Sequence, residues 1–173
     1  SKAILEWFPS ENILFSGSKA QIQTKVELAH DSHFVGWEIL CLGRPASEEI
    51  FSQGELDQRF EVWRDGKPLR IERLKLRGGD PALQAKWGLL GFPVIGSMVC
   101  VTDKTELIDS LRTITNVAIG EEFFSVTQVD GAILCYFLGD SVERARNCFI
   151  SAWKILRQEV IGFEAVEPRI WKT

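Results

Sequence analysis

The chain has 173 residues, of which 45% are hydrophobic and 25% charged, a composition typical of one soluble globular domain. Its formal net charge of -4 argues against a protein that binds nucleic acid without sequence preference, because such proteins need many Lys and Arg to neutralise phosphates. Apolar runs such as 94–101 fall far short of the roughly 20 residues that a membrane-spanning helix requires. We therefore predict a single domain over residues 1–173, with neither nucleic acid nor a membrane as partner.

Strand patterns dominate the first part of the chain. Residues 20–29 alternate polar and apolar side chains, the period-two pattern of a half-buried strand, and residues 33–42 are more densely apolar. Between them the sequence His-Asp-Ser-His predicts a hairpin turn with His30 and His33 at its shoulders. The alternative is that these histidines, with the intervening aspartate, ligate a transition metal.

Two Asp-Gly dipeptides, at 65–66 and 130–131, predict tight hairpins because both residue types tolerate a positive φ. The flanking strands are predicted at 59–64 and 69–76 for the first turn, and at 123–129 and 132–138 for the second. Lys and Arg residues recur between Arg64 and Arg77, and we interpret them as the solvated face of a strand.

Helices are predicted toward the C-terminus. An aspartate followed three residues later by a glutamate, at Asp103 and again at Asp140, predicts capped helices over 104–113 and 141–160. The second helix places apolar residues at alternating spacings of three and four, which makes one stripe that must be buried, and Gly162 is its natural stop. The predicted fold is mainly β: stacked β-sheets built from hairpins, with two α-helices toward the C-terminus.

The four cysteines each lie in an apolar run, and no two of them form a CxxC pair. This spacing predicts buried free thiols in a reducing compartment, so we expect a cytoplasmic protein.

Glu38 interrupts the apolar run 35–42, and a carboxylate in a buried strand needs a partner or a shifted pKa. The nearby cation predicts a Glu38–Arg44 ion pair that holds a turn. Two functional alternatives stay open: a general acid/base pair with Glu49, as in glycosidases, or a polar interior path for a cation. Trp37 would point to the face opposite Glu38, which disfavours a sugar site that uses both.

Five blocks follow one another over nearly the whole chain: ILEWFPSENILFSGSK (4–19), WEILCLGRPASEEIF (37–51), VWRDGKPLRIERLKL (62–76), YFLGDSVERARNCFISAWKILR (136–157) and PRIW (168–171). In this order they resemble the urease accessory proteins of the UreD family, called UreH in some bacteria. The motif positions that we expect to be structural are Pro9, Gly43, Phe51, Pro168, Arg169, Ile170 and Trp171. Glu48 departs from the family motif, which has glycine there. The chain resembles the C-terminal portion of the family and lacks its N-terminal segment, so we expect the domain to be incomplete at that end.

The resemblance implies a protein that is not an enzyme. Family members bind apo-urease and join UreF and the GTPase UreG, and a water-filled path through UreD is thought to carry nickel to urease. The resemblance therefore implies nickel in transit and no tightly bound cofactor. Alternatives from other classes are a β-sandwich carbohydrate-active hydrolase and a plain protein-interaction module.

A protein that hands on nickel needs weak, oxygen-rich contacts, because a closed Cys/His site would retain the ion. The candidate nickel contacts are therefore isolated carboxylates, namely Glu6, Glu38 and Glu49, with Arg44 as the countercharge that fixes one of them. At the C-terminus, Pro168 prevents the preceding helix from continuing. Because PRIW recurs at the end of the family, we expect an ordered extended tail, with Trp171 packed on the body and Arg169 in a fixed polar contact.

Overall fold

The computed structural model describes residues 3–116 and 122–172 of the chain. Within these residues, nine strands form two sheets and two α-helices cover one of them. In chain order the strands are β1 (Ile4–Trp7), β2 (Asn12–Leu14), β3 (Lys19–Leu28), β4 (His33–Leu42), β5 (Glu55–Arg64), β6 (Lys67–Arg77), β7 (Val94–Val101), β8 (Phe123–Val129) and β9 (Ala132–Gly139), and the helices are α1 (Leu107–Arg112) and α2 (Val142–Leu156). The predicted mainly β class with two helices near the C-terminus is confirmed.

The larger sheet has the strand order β1-β4-β7-β9-β8. Strand β2 also pairs with β4, at residues 40–42, whereas β1 pairs with residues 33–36. Strands β1 and β2 run parallel to β4, whereas β7, β9 and β8 continue the sheet in antiparallel pairs. The smaller sheet has the order β3-β5-β6, in which β3 and β5 are parallel. Parallel pairs join segments that are distant in sequence, so local turn chemistry does not reveal them.

The predicted hairpin between β3 and β4 is wrong. A turn does occur there, since the Ser32 N–H donates to the Ala29 carbonyl at 3.0 Å, but the two strands enter different sheets. The physical reason is that β3 buries one face, whereas β4 buries both. A strand with two buried faces needs a layer on each side. Strand β4 therefore lies inside the larger sheet, whereas β3 belongs to the smaller sheet that packs on it.

Both Asp-Gly hairpins are confirmed. Strands β5 and β6 are joined by Asp65 and Gly66, whose φ angles of 49° and 73° are both positive, as the predicted tight turn requires. Strands β8 and β9 are joined at 130–131, where Gly131 has a φ of 76°.

The larger sheet is the middle layer of three. On one face Val35, Trp37 and Ile39 of β4 pack in a cluster with Phe149 and Trp153 of α2. On the other face the inward side chains of β4 and β7 meet those of β3 and β5 in two further apolar clusters. The stacked sheets and the helical layer therefore share β4 as their common centre.

Both helices begin later than predicted. The Thr102 hydroxyl accepts from the Lys104 N–H at 3.2 Å and the Asp103 carbonyl accepts from the Thr105 N–H at 3.0 Å, so turns precede α1, which begins at Leu107. The N-cap position of α1 is therefore Glu106, which makes no side-chain cap hydrogen bond, and Asp103 lies too early in the chain to cap the helix.

The cap of α2 is Ser141, not Asp140. The Ser141 hydroxyl accepts from the Arg144 N–H at 3.2 Å, and Asp140 instead forms an ion pair with the Arg144 side chain. The α-helix ends at Leu156, a π-helical turn follows, and Gly162 with a φ of 83° closes it, so the predicted stop is confirmed. No helix in the described part of the chain is long and apolar enough to cross a membrane.

The four cysteines are free and buried, as predicted: Cys41, Cys100, Cys135 and Cys148. Burial raises the pKa of Cys135 to about 12 and that of Cys148 to about 11. These thiols are therefore protonated at neutral pH and act as apolar filling.

The Lys and Arg residues of β6 are only partly exposed to solvent. Arg73 and Lys75 lie on the outer face of the smaller sheet, where both pair with Asp57. Arg70 departs from the prediction: it turns inward, and its guanidinium lies 5.1 Å from the centre of the Tyr136 ring.

The C-terminal tail is packed, but it is not extended. Residues Arg169–Lys172 form a 3-10 turn that places Trp171 among Phe8, Trp37 and Trp153, with ring centroids 5.7, 5.4 and 5.3 Å away. Arg169 is exposed, and the described residues show no polar partner for it. Trp171 is thus the main apolar contact of the tail, and Lys154 also pairs with Glu167 at 2.5 Å.

Replacing Trp171 tests whether its side chain attaches the C-terminal tail to the body. We expect Trp171→Ala to lower the free energy of unfolding by about 3 kcal/mol, because it removes contacts with three aromatic rings. The adjacent Ile170 is 75% exposed, and Ile170→Ala should change stability by about 0.5 kcal/mol or less. Urea denaturation of both variants checks this, and equal small effects would show that the tail is not docked.

Candidate functional site

Glu38 lies in the middle of β4 and faces the smaller sheet. It is 4% exposed, and its carboxylate is held by two strands of that sheet. The Thr24 hydroxyl on β3 donates to Oε1, and the Gln58 amide on β5 donates to Oε2 at 2.5 Å. Both donors are neutral, so among the described residues the carboxylate has hydrogen bonds but no paired cation.

The predicted Glu38–Arg44 ion pair is wrong. Arg44 follows the end of β4 on the exposed surface, whereas Glu38 points into the space between the sheets. Arg44 pairs instead with Glu49, with Nε 2.9 Å from Oε2. Closeness in sequence did not bring the two charges together, because six residues of extended chain separate them by roughly 20 Å along the strand direction.

Glu38 belongs to a row of polar side chains between the two sheets. In the larger sheet it lies opposite Ser97 on β7, which lies opposite Tyr136 on β9. From the smaller sheet Thr24, Gln58, Glu72 and Arg70 face the same space, and Arg70 pairs with Glu72 and covers the Tyr136 ring. We call this set the intersheet polar layer: Thr24, Glu38, Gln58, Arg70, Glu72, Ser97 and Tyr136.

Apolar clusters lie on either side of this layer. On β3 Thr24 stands between Ile22, which packs in one cluster, and Val26, which packs in the other. Ser97 on β7 occupies the same position between Ile95 and Val99. The intersheet polar layer is thus a band across an otherwise apolar interior.

Burial raises the pKa of Glu38. The hydrogen bonds from Thr24 and Gln58 oppose this rise, and the nearby charge of Glu72 adds to it. Glu38 is therefore a weaker acid than an exposed glutamate, because the protein interior solvates its charge poorly.

Glu49 has the opposite environment. The Ser16 N–H donates to its Oε1 at 2.9 Å, and Arg44 donates to its Oε2. The hydrogen bond from Ser16, followed by that from Arg44, lowers the pKa of Glu49. The expected role of Arg44 as countercharge of one candidate carboxylate is thus seen at Glu49.

Glu6 joins β1 to α2. Its Oε1 accepts from the Trp153 indole at 2.7 Å and lies 3.2 Å from Nε of Arg157. The structure therefore does not gather the three candidates: Glu6 contacts the helical layer, Glu38 lies between the sheets, and Glu49 lies in a surface loop.

The two histidines contact different neighbours. Nδ1 of the exposed His30 lies 3.2 Å from Oδ2 of Asp65 in the β5–β6 turn. His33 begins β4, and its backbone N–H donates to the Ala3 carbonyl. Among the residues that the structure describes, no group of three or more His, Cys, Asp or Glu side chains is arranged to hold a metal.

The motif residues of the first two blocks have structural contacts. The Pro9 carbonyl accepts from the Trp37 indole at 3.2 Å, and Phe51 is buried in an intersheet apolar cluster. Gly43 has a φ of 81°, and a Cβ there would lie 2.3 Å from the Glu49 carbonyl oxygen. Only glycine fits at that position.

Sequence reasoning found Glu38 but missed the other members of the intersheet polar layer. A signal was present: Thr24 and Gln58 occupy inward positions of alternating strands, between apolar neighbours on both sides. A polar residue at such a position indicates a buried polar contact.

A family model, the UreD urease accessory protein, matches residues 1–172. The chain belongs to the UreD family. Urease accessory protein UreD 2 of Brucella anthropi is 41% identical over 173 residues, which cover 98% of this chain and 62% of that protein. UreD of Alcanivorax borkumensis is 40% identical over 170 residues, which cover 98% of this chain and 57% of the relative. The chain thus spans about three fifths of the length of these UreD proteins.

The departure from the UreD motif at Glu48 has a structural cost. Glu48 has a φ of 56°, in the left-handed region where side chains with a Cβ are strained. Glycine adopts this region without that penalty, in agreement with the glycine that the family resemblance leads us to expect there.

Restoring the glycine should therefore stabilise the fold. We expect Glu48→Gly to raise the free energy of unfolding by about 1 kcal/mol, as measured by urea denaturation. Glu48→Ala keeps the Cβ and should give no such gain. An equal gain in both variants would assign the effect to the lost charge instead of the backbone.

Glu38 and Glu49 should give opposite pH dependences. Folding raises the pKa of Glu38. Its contribution to the free energy of unfolding is therefore largest below its unfolded pKa of 4.5 and is lost as the pH rises through the folded pKa. We expect Glu38→Gln to flatten this fall in the free energy of unfolding above pH 4.5.

Folding lowers the pKa of Glu49. Its contribution to the free energy of unfolding is therefore present above its unfolded pKa and is lost as the pH falls through the folded pKa. Glu49→Gln should accordingly flatten the loss of stability in acid. Denaturation at a series of pH values checks both variants, and changes of the same sign in both would contradict the assigned environments.

Proposed function

We propose that this chain acts in urease maturation as a non-catalytic cytoplasmic scaffold that binds apo-urease, UreF and UreG and lets nickel pass to the urease active site. The observation that carries the proposal is the match to the UreD urease accessory protein model over residues 1–172. Relatives named as urease accessory proteins, with about 40% identity over 98% of the chain, support it further.

The intersheet polar layer is the part of the structure that best suits an ion in transit. It gives oxygen atoms to an interior that is otherwise apolar, and its one carboxylate without a paired cation is Glu38. A single carboxylate with neutral hydrogen-bond donors can bind a divalent cation weakly and release it. A closed set of Cys and His ligands would bind it too tightly to pass it on.

Glu6 and Glu49 are the other candidate nickel contacts. Each has a cation beside it, Arg157 for Glu6 and Arg44 for Glu49. Nickel would have to displace these arginines, so Glu38 is the strongest of the three candidates.

The hydrolase hypothesis finds little support in the geometry. A glycosidase needs two carboxylates that face one substrate, but Glu38 is enclosed between the sheets and Glu49 is held in a surface loop by Arg44. Trp37 faces the helical layer and stacks on Phe8 at 4.2 Å, so it is not beside Glu38.

Removing the charge of Glu38 tests the nickel route. In a reconstituted activation with apo-urease, UreF and UreG, we expect Glu38→Gln to keep the complex intact but to slow nickel loading about tenfold, because a neutral amide binds a cation less strongly than a carboxylate does. Nickel content of the urease and size-exclusion chromatography measure the two effects.

The matched control is Glu61→Gln. Glu61 is also buried, but it lies on the outer face of the smaller sheet, where it pairs with Arg59 and accepts from the Trp63 indole at 2.7 Å. The Glu61→Gln substitution should leave nickel loading unchanged. If Glu38→Gln behaves in the same way while the complex assembles, the chain is a plain interaction module and the nickel route is wrong.

A further inference from the structure

An apolar cleft of about 350 Å³ opens on the surface next to the Arg44–Glu49 loop. Its floor is formed by the buried side chains of Leu42, Phe51 and Leu83. Ile50 lies at its mouth and is 71% exposed. A large aliphatic side chain so exposed beside a concave apolar surface indicates a contact site for another molecule.

An ordered loop beside the cleft holds Trp87 in solvent, with 79% of its surface exposed. The loop is closed at its base, where the Gly91 N–H donates to the Leu83 carbonyl at 2.8 Å. It is also packed tightly: a Cβ at Gly88 would lie 1.9 Å from the Ala82 carbonyl oxygen. Trp87 is thus exposed on a pre-ordered loop, which reduces the entropy lost when a partner binds.

The lining of the cleft is acidic, although Arg44 lies beside it and the exposed Lys86 precedes Trp87. Three carboxylates line it, those of Glu48, Glu49 and Asp80, and no Lys or Arg is found among the described residues of the lining. Arg44 pairs with Glu49, and the Asp80 carboxylate accepts from the Ala82 N–H, whereas Glu48 is exposed. A partner that fits this rim carries positive charge.

We propose that the cleft, Ile50 and Trp87 form a docking surface for a protein segment that carries a bulky apolar side chain flanked by Lys or Arg. The apolar side chain would enter the cleft beside Ile50, Trp87 would contact the same segment from the loop whose ends line the cleft, and Glu48 would face the flanking cation. This inference rests on the proposed function only in requiring a protein partner, and it involves no nickel.

Four variants of the 173-residue chain test the docking surface against purified UreF and purified apo-urease. Trp87→Ala and Ile50→Ser should each weaken the binding of at least one of these proteins by about tenfold. Phe163→Ala and Ile71→Ser remove exposed apolar side chains elsewhere and should leave the Kd unchanged. Glu48→Gln should weaken binding less and reduce its salt dependence.

Titration calorimetry gives the Kd values, and urea denaturation establishes that the variants remain folded. Binding that is unchanged in Trp87→Ala and Ile50→Ser would overturn the docking surface and leave the proposed function standing. Failure of the unmodified chain to bind either protein would overturn both. Self-association that is abolished by Trp87→Ala would identify a second copy as the occupant and would also overturn the proposal.

Discussion

The burial of β4 on both faces is the constraint on which the rest of the structure depends. Nine of its ten residues are buried, so the strand needs a layer on each side. One layer is the helical cluster around Phe149 and Trp153, and the other is the smaller sheet. Because both layers pack on one strand, contacts in either depend on the position of β4 in the middle.

Glu38 is the exception within this strand, and the intersheet polar layer follows from it. A buried carboxylate loses hydration and regains only part of that free energy from the Thr24 and Gln58 donors, so it does not favour stability. An apolar residue would suit the interior better for stability alone. Stability alone therefore does not explain the carboxylate in this band of oxygen atoms between two apolar clusters.

Tryptophan has two different uses in this chain. Trp171 and Trp153 pack on each other and on Phe8 and Trp37, and this cluster fixes the tail and the end of α2 to the body. Trp87 is exposed on a loop that its own backbone hydrogen bonds keep ordered. The first use stabilises the fold, and the second leaves a large apolar side chain in solvent, where we propose that it contacts a partner.

The sequence by itself determined the features that depend on neighbouring residues: both Asp-Gly hairpins, the buried stripe of α2, the buried cysteines and, through the ordered motif blocks, the UreD family. Only the tertiary structure decided which residues meet from distant segments. It separated β3 from β4, paired Arg44 with Glu49 and gave Glu38 the neutral partners Thr24 and Gln58. Turns and helices are governed by interactions within a few residues, whereas sheet partners and buried polar contacts depend on how whole layers pack.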